Sequence, residues 1–238
     1  MTNHFKMTSP GRFALIAGFA LLVIAISAPY AEFIVGHKLV VGANPSDIVK
    51  NILADDSSFR SGILGYLVTF VCDLLVAWAL YVFLKPVSKN LSLIAALFRI
   101  VYAIIFLIAL FNLVGILKLI STPYQLKNIM PEQVNNLINL SLNAFRDDWT
   151  FGLVFFGIHL GLLGYLVLKS AYIPKIMGIL LIVAGLGYIM KSLHPYLFAN
   201  INTDFARYTF YGEVIFMVWL LTRGQNVGTS NEELGISN

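Results

Sequence analysis

Six stretches of this 238-residue chain are each long and apolar enough to cross a lipid bilayer, which leaves few folds open. A hydrocarbon core about 30 Å thick takes roughly 20 apolar residues per helix at a rise of 1.5 Å each. The stretches are 13–35, 62–84, 91–120, 149–168, 176–198 and 205–221. Inside lipid every backbone N–H and C=O must be satisfied within the protein, which dictates helices. The chain therefore reads as all-α, a polytopic transmembrane bundle of six helices forming one domain over 1–223. Lys85-Pro86 stops the second helix, and Pro174-Lys175 opens the fifth, because proline is tolerated in a first helical turn. The third stretch is longer than a perpendicular span requires and is expected to tilt or project through its Leu117–Ile120 end. The first has an apolar run reaching Val35, longer than the 7–15 residues of a signal peptide's core, and reads as an uncleaved span.

Composition removes the other classes. Apolar residues make up 58% and charged residues 12%, against about 45–50% and 25% in soluble domains. The net charge of +4 is not gathered into the patch or stripe of a nucleic-acid binder. A single cysteine, Cys72, excludes an intrachain disulfide and any multi-cysteine metal site. The phosphate-cradling, zinc-protease and serine-hydrolase motifs are all absent from the sequence. Neither a cofactor nor a metal is expected.

Orientation follows from basic residues in the short linkers. Lys85 and Lys89 follow helix two, Lys169 and Lys175 follow helix four, and Lys6 and Arg12 precede helix one. The opposite loops mix basic residues with Asp47, Asp55, Asp56, Glu132, Asp147 and Asp148. Both termini are thus expected in the cytoplasm. Pro45-Ser46-Asp47 precedes Ile48, Val49, Ile52 and Leu53, and Pro131-Glu132 precedes Val134, Leu137, Ile138 and Leu142. Both are capped amphipathic patterns, read as two short helices in the outer loops. Residues 224–238 are polar and read as a disordered tail.

Ionisable groups inside a membrane are costly and face the bundle interior. Asp73 lies 11 residues from the cytoplasmic end of its helix, Arg99 8, His159 9 and Glu213 8. These separations place all four about 12–16 Å deep, within one helical turn of each other. Four helices therefore contribute one polar side chain each to a single layer near the midplane. Two carboxylates face one guanidinium, so the layer is short by one positive charge. Arg99 is expected to hold Asp73, its hairpin neighbour, which leaves Glu213 to be protonated, share a proton with His159 or meet a cation. Nearer the outer surface, Glu32, Lys191 and His194 form a candidate vestibule, with snorkelling to the interface as the ordinary alternative. Gly157 and Gly161 form a small-xxx-small pair with Gly164 one turn on, and Gly178 and Gly185 lie one heptad apart, which points to close helix packing. Tyr66, Tyr102 and Tyr188 are candidates for hydrogen bonds to the layer.

These residues, taken in order, resemble a family of bacterial membrane proteins catalogued as domain of unknown function 4386. Arg12 opens helix one, and Asp73 is followed by Leu80-Tyr81, Pro86-Val87 and Phe98-Arg99. Phe155-Phe156-Gly157 leads to His159-Leu160 and Gly164-Tyr165, then Tyr172-Ile173-Pro174-Lys175 and Ala184-Gly185-Leu186-Gly187-Tyr188. The resemblance runs from Arg12 to about Leu221. It implies a multi-pass protein of the bacterial inner membrane and supplies no mechanism.

The function expected from the layer is binding, sensing or transport of a small molecule or ion, coupled to protons, by a protein whose surroundings are membrane lipids. One alternative is an intramembrane lipid hydrolase with His159 as base. Another is an accessory membrane protein in which Asp73 and Arg99 form a static clamp. Enzymatic action ranks below binding or transport.

Overall fold

Helix ends in this chain sit where the local chemistry can satisfy them. At the start of the second long helix, the Asp55 carboxylate accepts the backbone N–H of Ser58 at 3.2 Å, and Asp56 lies in the first turn, where a negative charge complements the helix dipole. Ser88 does the same for the third, accepting the N–H of Leu91 at 3.4 Å. The computed structural model describes residues 9–38, 45–121, 131–197, 208–224 and 227. Among these it holds seven α-helices: α1 Ser9–Glu32, α2 Pro45–Ala54, α3 Asp56–Leu84, α4 Lys89–Ile120, α5 Pro131–Lys169, α6 Lys175–Leu197 and α7 Tyr211–Thr222. A π-helical stretch, Phe33–Lys38, continues α1 a few residues beyond its internal Pro29.

Five helices are long and apolar enough to cross a membrane, and a sixth apolar helix, α7, is shorter. At 1.5 Å per residue the 12 residues of α7 span about 18 Å, less than the hydrocarbon core. The expected sixth span began at Phe205, and residues 205–207 lie outside the described residues, as do Phe198 and Lys6. Of the expected tail, Gly224 and Val227 are buried, with Gly224 beside Ala14 of α1. The other positions from 225 onward lie outside the described residues.

The first amphipathic pattern forms α2, which buries Ile48 and Ile52 but leaves Leu53 56% exposed. The second is helical from Pro131 as expected, and it does not stop before the membrane segment. No proline or glycine interrupts 132–151, so the helix runs unbroken for 39 residues. Its buried stripe is Val134, Ile138, Leu142 and Phe145, while Leu137 points outward.

The chain divides into two compact units. One comprises Met1–Leu22, Cys72–Tyr102 and Leu153–Asn238. Its core is rich in small residues: Ala14, Ala17, Ala77, Ala79, Ala95 and Ala184 are all buried. The other comprises Val23–Val71 and Ala103–Gly152, and is built from large side chains. There Tyr66 lies 5.2–5.7 Å, ring to ring, from Phe106, Phe145 and Trp149.

Two glycine pairs hold α5 against α6 in the first unit. A Cβ on Gly185 would sit 2.5 Å from the carbonyl oxygen of Gly157, and one on Gly164 would sit 2.6 Å from that of Gly178. Both pairs are therefore backbone-on-backbone, and the seam repeats every seven residues on each helix. At about 100° per residue, positions seven apart drift only about 20° around the axis. Gly161 lies about 40° off that line from Gly157, and a Cβ there would meet nothing within 4 Å. The Gly161 backbone nitrogen still lies 3.1 Å from where a Gly185 Cβ would sit, so Gly161 borders the seam while its own Cβ direction is open.

Candidate functional site

Arg99 sits about a third of the way along α4 with a 2% exposed side chain, between Asp73 of α3, also 2% exposed, and His159 of α5, 1% exposed. Its Nη2 donates to Asp73 Oδ1 at 2.6 Å. Its Nη1 lies 3.3 Å from His159 Nε2, and His159 Nδ1 lies 2.8 Å from the carbonyl oxygen of Ala95. Guanidinium nitrogens only donate and carbonyl oxygens only accept. The imidazole must therefore carry its hydrogen on Nδ1 and present a lone pair on Nε2. Neighbouring groups thus fix one neutral tautomer of His159. The guanidinium also lies over the Phe156 ring, 5.1 Å from its centroid, a cation–π contact in a desolvated setting. Phe156 in turn meets Tyr102 at 4.8 Å and Tyr188 at 5.2 Å. Arg99 Nε has no hydrogen-bond partner among the described residues.

Glu213, in the first turn of α7, is hydrogen-bonded by the Tyr188 hydroxyl and lies within electrostatic reach of both Arg99 and Asp73. The structure thus brings Asp73, Arg99, His159 and Glu213 into one neighbourhood of one unit. Of the three alternatives expected for Glu213, protonation and a cation stay open and the partnership with His159 does not. A shared proton with His159 does not form, because both ring nitrogens are already engaged, and Tyr188 takes that place. The same engagement means that His159 is not presented as a general base, as the hydrolase alternative required. Beside His159 lies a void of about 10 Å³ lined by Ala77, Leu80, Tyr81, Ser92 and Ala95, space for about one water molecule.

A family described as "Domain of unknown function (DUF4386)" matches residues 16–224. The chain belongs to that family. An uncharacterized protein of Archaeoglobus fulgidus is 39% identical over 165 residues, covering 69% of this chain and 85% of its own. No solved structure matches. Relatives of the chain are therefore not confined to bacteria.

In this DUF4386 chain the three residues of the expected vestibule are divided between the two units. Glu32 accepts a 2.6 Å hydrogen bond from Tyr66 and belongs to the unit built on large aromatic rings. Lys191 is exposed on α6, and His194 lies one turn further along that helix in the other unit. Of the three candidate tyrosines, Tyr188 reaches the layer through Glu213, Tyr102 stacks on Phe156, and Tyr66 serves Glu32 instead. Two polar contacts in the second unit had no sequence signal beyond residue type: Ser27–Thr69 at 2.8 Å and Asn112–Asp148 at 3.2 Å.

Proposed function

We propose that this integral membrane protein binds, senses or transports a small ion or molecule in concert with proton exchange at Glu213. The Asp73–Arg99–His159 cluster serves as the fixed frame. One observation carries the reading: Asp73 and Arg99 cancel each other's charge, leaving Glu213 against a neutral phenol. A carboxyl group so placed can lose or gain a proton without breaking the ion pair beside it. Full-length protein in liposomes loaded with a pH-sensitive dye, under a potassium-valinomycin potential, provides the test. Wild type is expected to collapse the proton gradient faster than empty liposomes, and Glu213→Gln is expected to fall to the empty-liposome rate. Equal rates for wild type and Glu213→Gln would overturn the assignment of the proton to this residue.

A second reading is favoured by the occupancy of both imidazole nitrogens and by the water-sized void. On it, Asp73, Arg99 and His159 form a static clamp in an accessory protein. That reading requires wild-type liposomes to be as proton-tight as empty ones.

We further place the protein in the cytoplasmic membrane with both termini inside. Arg12, Lys85, Lys89, Lys169 and Lys175 are all exposed at helix ends or turns of one unit, which supports this orientation. In a Cys72→Ser background, Ala171→Cys should resist a membrane-impermeant maleimide added to whole cells, while Ser57→Cys should react. The opposite pattern would invert the topology.

A further inference from the structure

A second charged arrangement lies in the same unit as the polar layer, and the proton reading makes no use of it. The turn 85–88 joins α3 to α4, and the turn 170–174 joins α5 to α6. The two are fastened together. The Tyr172 hydroxyl donates to the Phe83 carbonyl oxygen at 3.1 Å, and the two rings meet at 5.6 Å. Ser170 Oγ accepts the N–H of Ile173 at 3.2 Å, which holds the second turn in shape. Four lysines bracket this joint: Lys85 after α3, Lys89 opening α4, Lys169 closing α5 and Lys175 opening α6. All four are exposed, neither turn contains an acidic residue, and none has a carboxylate partner among the described residues.

Aromatic side chains lie just inward of these charges. Trp78 on α3 and Tyr165 on α5 are each about half exposed, and Lys169 Nζ lies 4.8 Å from the Tyr165 ring centroid. Tryptophan and tyrosine settle at the headgroup level of a bilayer, with their rings amphipathic across the boundary. Lysines one to two turns further out along the same helices fall among the phosphates. Four like charges held on one rigid joint repel each other, and a phosphodiester anion relieves that repulsion where a zwitterionic headgroup, carrying its own cation, does not.

We propose that this joint is a binding site for the headgroups of anionic phospholipids, with Lys85, Lys89, Lys169 and Lys175 as its cationic ligands. The site rests on the membrane-spanning character of the chain and not on Glu213, so its failure would leave the proton reading untouched. Basic side chains near a membrane surface contribute about 1 kcal/mol each, or roughly fivefold in affinity.

The test is titration of full-length, detergent-purified protein with phosphatidylglycerol, phosphatidylcholine or inorganic phosphate, read by native mass spectrometry and thermal shift. Saturable binding of phosphatidylglycerol in preference to phosphatidylcholine is expected, weakening as salt rises. Replacing all four lysines with glutamine should weaken it at least a hundredfold, and replacing them with arginine should restore it. The four side chains are exposed, so the helical circular dichroism of both variants should match wild type. Equal binding of the two lipids, or wild-type affinity in the glutamine variant, would overturn the proposal. So would saturation by inorganic phosphate with no preference for phosphatidylglycerol, which would assign the joint to a soluble anion.

Discussion

The seam between α5 and α6 makes a prediction that separates Gly161 from Gly157 and Gly185. A methyl group added at Gly157 or Gly185 meets a backbone carbonyl oxygen at 2.6 or 2.5 Å, where ordinary contact needs about 3.4 Å or more. A backbone oxygen cannot swing aside as a flexible side chain can, so the helices must part by almost 1 Å. Overpacking of this kind costs about 1–3 kcal/mol. For a chain of this length each kcal/mol moves the unfolding midpoint by roughly 2–4 °C, so Gly157→Ala and Gly185→Ala should each lose about 2–12 °C. Gly161→Ala adds its methyl to open space and removes the conformational freedom that glycine gives the unfolded chain, a gain of about 0.5–1 kcal/mol. It should therefore leave the midpoint unchanged or raise it by up to about 4 °C. Thermal unfolding of the three purified variants in one detergent, followed by circular dichroism, measures all of this. A loss at Gly161→Ala as large as that at Gly157→Ala would refute the heptad seam.

Two further outcomes follow from the side chains. Asp73→Asn leaves the Arg99 charge buried without its counterion and should cost about 3–5 kcal/mol, whereas Asp73→Leu combined with Arg99→Met should recover most of the loss; unfolding midpoints of the single and double variants check this. Burial in the turn pushes the Tyr172 hydroxyl from its ordinary value near 10 up to about 12, so between those pH values the unfolded chain releases this proton first and stability falls as pH rises. The stability advantage of wild type over Tyr172→Phe should accordingly be full below pH 10 and shrink towards pH 12, and an advantage that grew with pH would contradict this.

Features set by fixed geometry were legible in the sequence. A helix rises 1.5 Å per residue whatever its side chains, so counting inward from the lysine-bearing turns suffices to put Asp73, Arg99 and His159 at one depth. What each group then bonds to depends on rotamers and on backbone atoms that sequence does not reveal. The Ala95 carbonyl takes the Nδ1 hydrogen of His159, Arg99 faces Nε2, and Glu213 meets Tyr188. No side-chain pattern marks Ala95 as an acceptor. The glycines show the same limit. Small-residue spacing identifies helices that can approach closely, but which glycine aims its Cβ position at the partner is settled by the crossing, and that of Gly161 points into open space. Apolarity likewise cannot give helix length. Residues 205–221 are apolar enough to suggest a span, yet the described helix begins only at Tyr211, where Gly212 closes on the Leu180 carbonyl of α6. Glu213 stands in the first turn of that described helix, and the count that put it in the layer ran eight residues back from Leu221, so it does not depend on where the helix begins.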